Sequence, residues 1–156
     1  MDDPQLQTNT SFLSYIPGEV DLADILKYPM AMREFQAKLD ATSEVLHKIL
    51  FSDVTFSFLI KTAVEYDLTD DQAKEVSRIV RDILLGDLYL GDMIAQVKEK
   101  LGIDEEKARA ISNALGEELF TPVLDEIKKL QLKNFSDRIG PVQQGNMINL
   151  KKKTFT

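Results

Sequence analysis

The sequence predicts an all-α single domain of about seven short antiparallel helices. Three observations predict this fold class. The chain has 156 residues, of which 44% are hydrophobic and 29% are charged, and this is enough for one globular core. Apolar residues recur at the three- and four-residue spacing of amphipathic helices. The body contains no useful length of the alternating apolar and polar pattern that a half-buried strand requires.

We divide the chain into an N-terminal arm over residues 1–20, a helical domain over residues 21–135, and a basic, mostly irregular tail over residues 136–156. The arm is polar and is interrupted by prolines. The helical periodicity fails at the start of the tail, where Gly-Pro and Gly-Asn pairs indicate turns. Three residues of the arm are expected to anchor it on the body: Phe12, Tyr15 and Ile16.

A proline separates the first two predicted helices. Residues 21–27 predict a short helix with Asp21 as its N-cap, because an aspartate side chain can accept a hydrogen bond from an N–H of the first turn. Pro29 ends this helix and begins the next one. The second helix is predicted over residues 30–50, since its apolar positions keep helical spacing throughout.

The next helices form two capped pairs. A helix over residues 53–66 precedes Thr69, which forms a capping box with Gln72 and begins a second helix. A helix over residues 88–101 precedes Asp104, which caps another helix. The two capped helices are predicted to bury the following positions: Ala73, Val76, Ile79, Val80, Ile83, Leu84, Ala108, Ile111, Leu115 and Leu119.

The last helix is predicted to begin at Thr121 and Pro122. Proline suits the first helical position, because the N–H that it lacks would have no partner there, and threonine is a common N-cap. The helix is expected to end near Leu132.

The capped pairs also suggest an internal repeat. Residues 49–60 match residues 83–94 at an offset of 34, with four of twelve positions identical. Residues 68–73 match residues 103–108 at an offset of 35. A period of this length suggests stacked helical hairpins, although the Trp, Gly and Tyr positions of tetratricopeptide repeats are not filled. The alternative is a chance similarity between amphipathic helices of similar length.

The net charge of −7 is unevenly distributed. Residues 1–127 carry −13 and residues 128–156 carry +6. The basic end could contact its own body, an acidic partner or a nucleic acid, or it could be a solvated tail that aids solubility. Within it, apolar residues stand beside three lysines and indicate a docking peptide or an added strand, with a frayed tail as the alternative. These candidate partner-binding residues are Met147, Ile148, Leu150, Lys151, Lys152 and Lys153.

Aromatic residues gather around the first two junctions between helices, and we expect them in the core. These residues are Phe51, Phe56, Phe58, Tyr66 and Tyr89. Phe58 aligns with Asp92 at the offset of 34, so one of the two departs from the pattern. If Phe58 is exposed, it is a further candidate contact residue for a partner.

The sequence offers little material for a metal centre or an active site. Cysteine is absent, and His47 is the one histidine. Glu44 and His47 match the Glu-x-x-His spacing of carboxylate-bridged di-metal bundles, but those sites need two such pairs and two further glutamates. The repeat aligns His47 with Arg81 and Gly116, which indicates a solvent-facing position. Phosphate-binding glycine motifs and the Gly-x-Ser-x-Gly motif are absent, so we expect no enzyme activity and no cofactor.

Gly102, Ile103 and Asp104, followed by Ala108 and Ile111, resemble in spacing the helix-hairpin-helix motif of DNA-binding proteins. That motif has a second glycine where Asp104 stands, so that backbone N–H groups can approach a phosphate. The acidic residues that follow would repel a phosphate, so we interpret the segment as a packing hairpin.

These observations favour a non-enzymatic protein-interaction or assembly subunit that uses a helical surface, its C-terminal tail or both. Its partner would be another protein or a second copy of the chain. A nucleic-acid-associated protein that uses the basic tail is the alternative, which the acidic body disfavours. A metal-binding helical bundle is a third, weaker candidate. We expect a cytoplasmic location without a membrane partner, because neither a secretory signal nor a membrane-spanning run is evident.

Overall fold

The computed structural model describes residues 15–138 as one all-α domain. This range contains helices and no strand, which confirms the predicted fold class. The helices of the described range are α1 (Leu22–Ile25), α2 (Pro29–Asp40), α3 (Glu44–Phe51), α4 (Asp53–Glu65), α5 (Asp70–Leu84), α6 (Met93–Leu101), α7 (Glu105–Ala114) and α8 (Leu124–Asn134).

The predicted helix over residues 30–50 is two helices, so that expectation is wrong. α2 ends at Asp40, and Ser43 begins α3 with an extended backbone. The Ser43 hydroxyl accepts a hydrogen bond from the Leu46 N–H at 3.4 Å. Phe35 before the break and Leu46 after it are both buried. The apolar spacing therefore continues across the break, and periodicity alone does not reveal the cap between the two helices.

Asp21 is not the N-cap of α1, which corrects a second expectation. Its backbone is left-handed, with φ 65°, and its side chain makes no capping hydrogen bond. Its carboxylate is instead bound by Arg78 and Arg81 of α5. Two guanidinium groups distant in the sequence compete successfully with the local N–H groups, because charge-assisted hydrogen bonds are the stronger ones.

The first capped pair, α4 and α5, is confirmed. The Thr69 hydroxyl accepts from the Gln72 N–H at 3.2 Å, and Gln72 Oε1 accepts from the Thr69 N–H at 2.9 Å. This capping box begins α5, whose predicted inner face is buried at all six positions: Ala73, Val76, Ile79, Val80, Ile83 and Leu84.

The second capped pair, α6 and α7, is confirmed with a later start. α6 begins at Met93, after a 3₁₀ turn over Leu90–Asp92, and ends at Gly102, whose φ is 64°. Asp104 Oδ1 accepts from the Lys107 N–H at 2.7 Å and caps α7. The two helices pack on each other, as the packing-hairpin interpretation expected. The predicted inner positions are all buried: Ala108, Ile111, Leu115 and Leu119.

The chain does not begin a new helix at Thr121, so the predicted N-cap is wrong. α7 continues into a π-helical segment, Leu115–Phe120, and then a 3₁₀ turn, Thr121–Val123, before α8. Thr121 therefore has helical backbone angles, and its hydroxyl donates to the Gly116 carbonyl oxygen at 2.7 Å. The local Thr-Pro signal is overridden, because the helical backbone continues through it.

The structure shows how far the two hairpins correspond. Asp67 and Gly102, the left-handed residues of the two turns, are 35 residues apart, as are the N-caps Thr69 and Asp104. In this register five buried positions of α5 correspond to buried positions of α7 and the π-helical segment after it, whereas buried Ile83 corresponds to exposed Glu118. The buried pairs are Ala73/Ala108, Val76/Ile111, Ser77/Ser112, Val80/Leu115 and Leu84/Leu119. Helix α3 also packs against α8, a contact between distant elements that an open stack of hairpins would not have.

The connection from α5 to α6 begins with a tight turn at Gly86, whose φ is 80°, and the rest of it is held by α8. Gln131 is fully buried, and its amide binds the connection on both sides. Its Nε2 donates to the Leu88 carbonyl oxygen at 3.1 Å, and its Oε1 accepts from the Leu90 N–H at 2.8 Å. Asn134 Nδ2 donates to the Gly86 carbonyl oxygen at 3.0 Å. α8 therefore fixes the position at which α6 begins.

The aromatic residues expected in the core lie nearer the surface, which corrects a further expectation. Phe51 is exposed, and the other four are half-buried: Phe56, Phe58, Tyr66 and Tyr89. The buried aromatic residues of the described range are Phe35 and Phe120. The core is filled mainly by aliphatic side chains, with the largest share from α5, and the five aromatic rings lie at its margin.

Candidate protein-interaction surface

The outward side of α4 carries exposed apolar side chains. Val54 is 75% exposed and Val64 is 77% exposed. Ser57 and Lys61 are also exposed, and the four residues follow the three-four-three spacing of one helix face. The two valines are ten positions apart in the sequence, so they lie about 15 Å apart along the helix axis.

The inward side of α4 is more polar than its burial predicts. Its buried residues are Thr55, Leu59 and Thr62. The Thr62 hydroxyl donates to the Phe58 carbonyl oxygen at 2.9 Å, which satisfies it within the helix. The buried Thr55 hydroxyl has no hydrogen-bond partner among residues 15–138. α4 therefore exposes two valines and buries two threonines, the reverse of the usual distribution.

The corresponding helix of the second hairpin has the usual distribution. In the register of 35, Thr62 corresponds to Val97 of α6, and both are buried. Val64 corresponds to Glu99, and both are exposed. At these two positions the helices keep the same inner and outer sides while the polarity of the side chains is exchanged. Exposed valines on the outer side of α4 are candidates for a contact with another element.

Phe51 extends this surface across the corner between α3 and α4. Ser52 is the one residue between the two helices, and its hydroxyl accepts from the Val54 N–H at 3.0 Å. Phe51 is 42% exposed and lies at the end of α3, one residue before the start of α4. We call the following five residues the α4 face: Phe51, Val54, Ser57, Lys61 and Val64.

The α4 face has one positive charge near its middle. Lys61 Nζ lies 4.0 Å from Glu118 Oε1, and both side chains are more than half exposed. An exposed pair at this distance contributes little, about 0–1 kcal/mol. The exposed carboxylates of Asp53 and Glu65 stand at the two ends of α4. The surface therefore has apolar residues at each end, a central cation and acidic margins.

The predicted contact residues have mixed positions relative to this face. Phe58 is half-buried and packs against the core, next to the α4 face rather than in it. The predicted docking segment in the tail lies outside the described residues, together with all six of its members: Met147, Ile148, Leu150, Lys151, Lys152 and Lys153. Val54 and Val64 were not predicted. The repeat contains a signal for Val64, since its counterpart in α6 is Glu99.

The candidate metal position is not solvent-facing, which corrects that part of the argument from the repeat. His47 is half-buried, and its Nε2 donates to the Leu39 carbonyl oxygen, while Glu44 is exposed. Arg81, at the equivalent position of α5, is half-buried as well, because it reaches Asp21. Within residues 15–138, no group of three or more potential ligands is placed to hold a metal ion.

A cluster of charged groups joins the first described residues to α5. Arg78 binds the Asp21 carboxylate through two hydrogen bonds of 2.9 Å, and Arg81 adds a third at 3.0 Å. The Arg78 hydrogen bond is the main reason why the pKa of Asp21 is lowered, and desolvation opposes it. The ionised carboxylate therefore stabilises the fold above pH about 4, and this contribution is lost as the pH falls through the lowered pKa.

Asp82 lies beside this cluster, and the pKa of its carboxyl is shifted in the opposite direction to that of Asp21. Burial raises the pKa of its carboxyl, the nearby Asp87 raises it further, and the hydrogen bond from Arg81 Nε at 3.0 Å partly offsets both. A carboxyl whose pKa is raised by folding opposes stability once the pH exceeds its unfolded pKa. The cluster thus contains one carboxylate that favours the neutral-pH fold and one that opposes it.

In the part of the chain that the structure describes, every helix is too short or too polar to cross a bilayer. Comparison of the chain with known protein families, with curated proteins and with solved structures finds no match.

Proposed function

We propose that the protein is a non-enzymatic binding module whose α4 face docks another protein. One observation carries this proposal, namely the exchange of polarity between α4 and α6 at equivalent positions. Val64 is exposed where α6 has Glu99, and Thr62 is buried where α6 has Val97. An exposed valine in place of a glutamate lowers solubility without adding to the core, so its use lies in a contact.

The shape and charge of the α4 face favour an amphipathic helix as the docked element. Its apolar ends, Val54 and Val64, are about 15 Å apart, which is the length of about three helical turns. A partner helix would place apolar residues against these ends and a carboxylate opposite Lys61. The carboxylates of Asp53 and Glu65 would repel an acidic residue at the ends of the partner, which fixes the alignment of charges along α4.

The test compares two variants that add one carboxylate each. Val64→Glu places on α4 the residue of its α6 counterpart, and Ala95→Glu adds the same charge on the exposed side of α6. Each tagged protein is used to capture partners from an extract of its own cell, and the captured proteins are quantified by mass spectrometry. We expect Val64→Glu to lose its partners at least tenfold and Ala95→Glu to keep them.

Folding is checked first by circular dichroism and thermal melting, because an exposed substitution changes stability by about 0.5 kcal/mol or less. The proposal fails if all three proteins capture the same partners in the same amounts. It also fails if the wild-type chain captures nothing above an untagged control.

A further inference from the structure

Residues 15–21 form a non-helical strap across α3 and α5. The strap runs alongside α5: the Tyr15 hydroxyl donates to Asp70 near its start, and the Asp21 carboxylate binds Arg78 and Arg81 further along. Its Gly18 N–H donates to the Leu50 carbonyl oxygen of α3 at 2.7 Å. The strap therefore covers the groove where α3 and α5 meet.

The strap is a hydrogen-bonded turn, in which the N–H groups of Glu19 and Val20 donate to the Ile16 carbonyl oxygen at 2.8 and 2.9 Å. It contacts α5 partly through its backbone carbonyl groups. The Tyr15 carbonyl oxygen accepts from the Ser77 hydroxyl at 3.1 Å, and the Val20 carbonyl oxygen accepts from Arg81 Nη1 at 3.4 Å. Val20 is 1% exposed and is the apolar anchor. A Cβ atom at Gly18 would lie 2.3 Å from the Phe51 ring, so the groove accepts glycine at this point.

The groove has features that the equivalent helix α7 lacks. In the register of 35, Ser77 corresponds to Ser112, but Arg78 and Arg81 correspond to Asn113 and Gly116. The Ser112 hydroxyl is buried and has no hydrogen-bond partner in the described chain, whereas Ser77 is satisfied by the strap. The two arginines therefore do not belong to the common hairpin. They stand where an acidic segment is bound.

The segment that follows the strap, α1 and α2, has few buried side chains. Asp21 has a left-handed backbone, which is unfavourable by roughly 1–2 kcal/mol for a residue other than glycine. Among the described residues, α1 buries none of its side chains, and α2 buries Phe35 alone. A cavity of about 240 Å³ separates α2 from the end of α5 and reaches Arg81. Segments with few buried contacts open at low free energy.

We propose that the α3–α5 groove is a recognition site for acidic peptide segments of the pattern Gly-x-Val-Asp that adopt the turn of the strap, and that the chain's own strap fills this site in the present structure. The arginine pair binds the peptide carboxylate as a fork, which gives both charge and directional specificity. The buried position of Val20 takes the apolar side chain, and the ring of Phe51 excludes larger residues at the glycine. A partner segment of this chemistry enters when the strap leaves.

The test uses a fluorescein-labelled peptide of strap residues 15–22 and the full chain. The variant Asp21→Gly removes the strap's carboxylate and suits the left-handed backbone, so it weakens the strap without straining the fold. We expect this variant to bind the peptide at least tenfold more tightly than the wild-type chain in fluorescence anisotropy. A peptide with Asn in place of its Asp should bind at least tenfold more weakly, and adding Arg81→Gln to the variant should abolish the difference between the two peptides.

Equal binding of both peptides to Asp21→Gly, or equal affinity of the variant and the wild-type chain, would overturn the proposal. The wild-type chain could also form concentration-dependent dimers that dissociate when the peptide is added. In that case the groove would bind the strap of a second copy, and the proposal of a foreign peptide would be overturned.

Hydrogen exchange keeps the proposal testable if the variant does not fold. In the wild-type chain the Gly18 amide should exchange at least tenfold faster than the amide of buried Val80 in α5, because the strap opens without global unfolding. Exchange of both amides at the rate of global unfolding would overturn the proposal.

Discussion

Helices α4 and α6 occupy equivalent places in two hairpins, yet their outer surfaces differ. Both precede a capped turn with a left-handed residue, Asp67 in one and Gly102 in the other. α6 exposes Glu99 where α4 exposes Val64. The comparison shows that equivalent positions of the two hairpins can keep the same side toward the core while their outward side chains differ in polarity.

The largest effect is expected where the two hairpins agree. Ile111 of α7 is fully buried, as is its counterpart Val76 in α5. Ile111→Ala should lower the free energy of unfolding by about 3 kcal/mol, because it removes buried methyl groups and leaves a cavity. Val64→Ala should change it by less than about 0.5 kcal/mol. Urea denaturation of both variants measures the contrast, and similar losses would show that α4 is packed on both sides.

Gln131 tests the junction that distinguishes the two hairpins. α4 follows α3 after the single residue Ser52, whereas the start of α6 depends on the two hydrogen bonds from the buried Gln131 amide. Gln131→Leu keeps the volume and leaves the Leu90 N–H and the Leu88 carbonyl without their partner. We expect a loss of at least about 2 kcal/mol in urea denaturation, because each of the two buried groups left unsatisfied costs at least about 1 kcal/mol. Unchanged stability would show that water replaces the amide.

Thr55 tests the inner side of α4. Its hydroxyl is buried and makes no hydrogen bond within the described range. Thr55→Val introduces an aliphatic side chain, like those on the buried side of α6. It should raise the free energy of unfolding by about 1 kcal/mol, because the desolvation penalty of the hydroxyl disappears. The same change at Thr62, whose hydroxyl is satisfied, is the control and should have a smaller effect. A less stable Thr55→Val would contradict this account.

The smallest effect is expected at the turns that align the two hairpins. Asp67→Gly copies Gly102 and should raise the free energy of unfolding by about 0.5–1 kcal/mol, since glycine adopts a positive φ without strain. Gly102→Ala, the reciprocal change, should lower it by a similar amount, although a Cβ atom there would meet no neighbour within 4 Å. Thermal unfolding of both variants measures the pair. If both variants were more stable than the wild-type chain, or both less stable, the two turns would not be equivalent.

Local signals in the sequence were reliable where the partner groups are close in the chain. The Thr69 capping box and the Asp104 cap form with residues three positions away, and both are confirmed. The Asp21 and Thr121 caps were predicted on equally good local grounds and are wrong. The Asp21 carboxylate is bound by arginines of α5, and the backbone around Thr121 stays helical after α7. These competing interactions are set by the packing of distant segments.

On the α4 face, too, local sequence signals were less informative than the packing of distant segments. The repeat aligned Phe58 with Asp92 and made it a candidate, but packing places Phe58 against the core and leaves its neighbour Val54 outside. From the sequence alone, either Phe58 or Val54 could occupy an inward position on the helix. The direction in which α4 lies on α5 decides which of them is covered.

The sequence by itself determined the helical class, the two capped hairpins and the inner positions of α5 and α7, because apolar periodicity and caps depend on residues within a few positions. The tertiary structure alone decided the strap across α3 and α5 and the exposure of Val54. These features depend on which side of one helix another helix covers. That choice minimises exposed apolar surface over the whole chain rather than within any one segment.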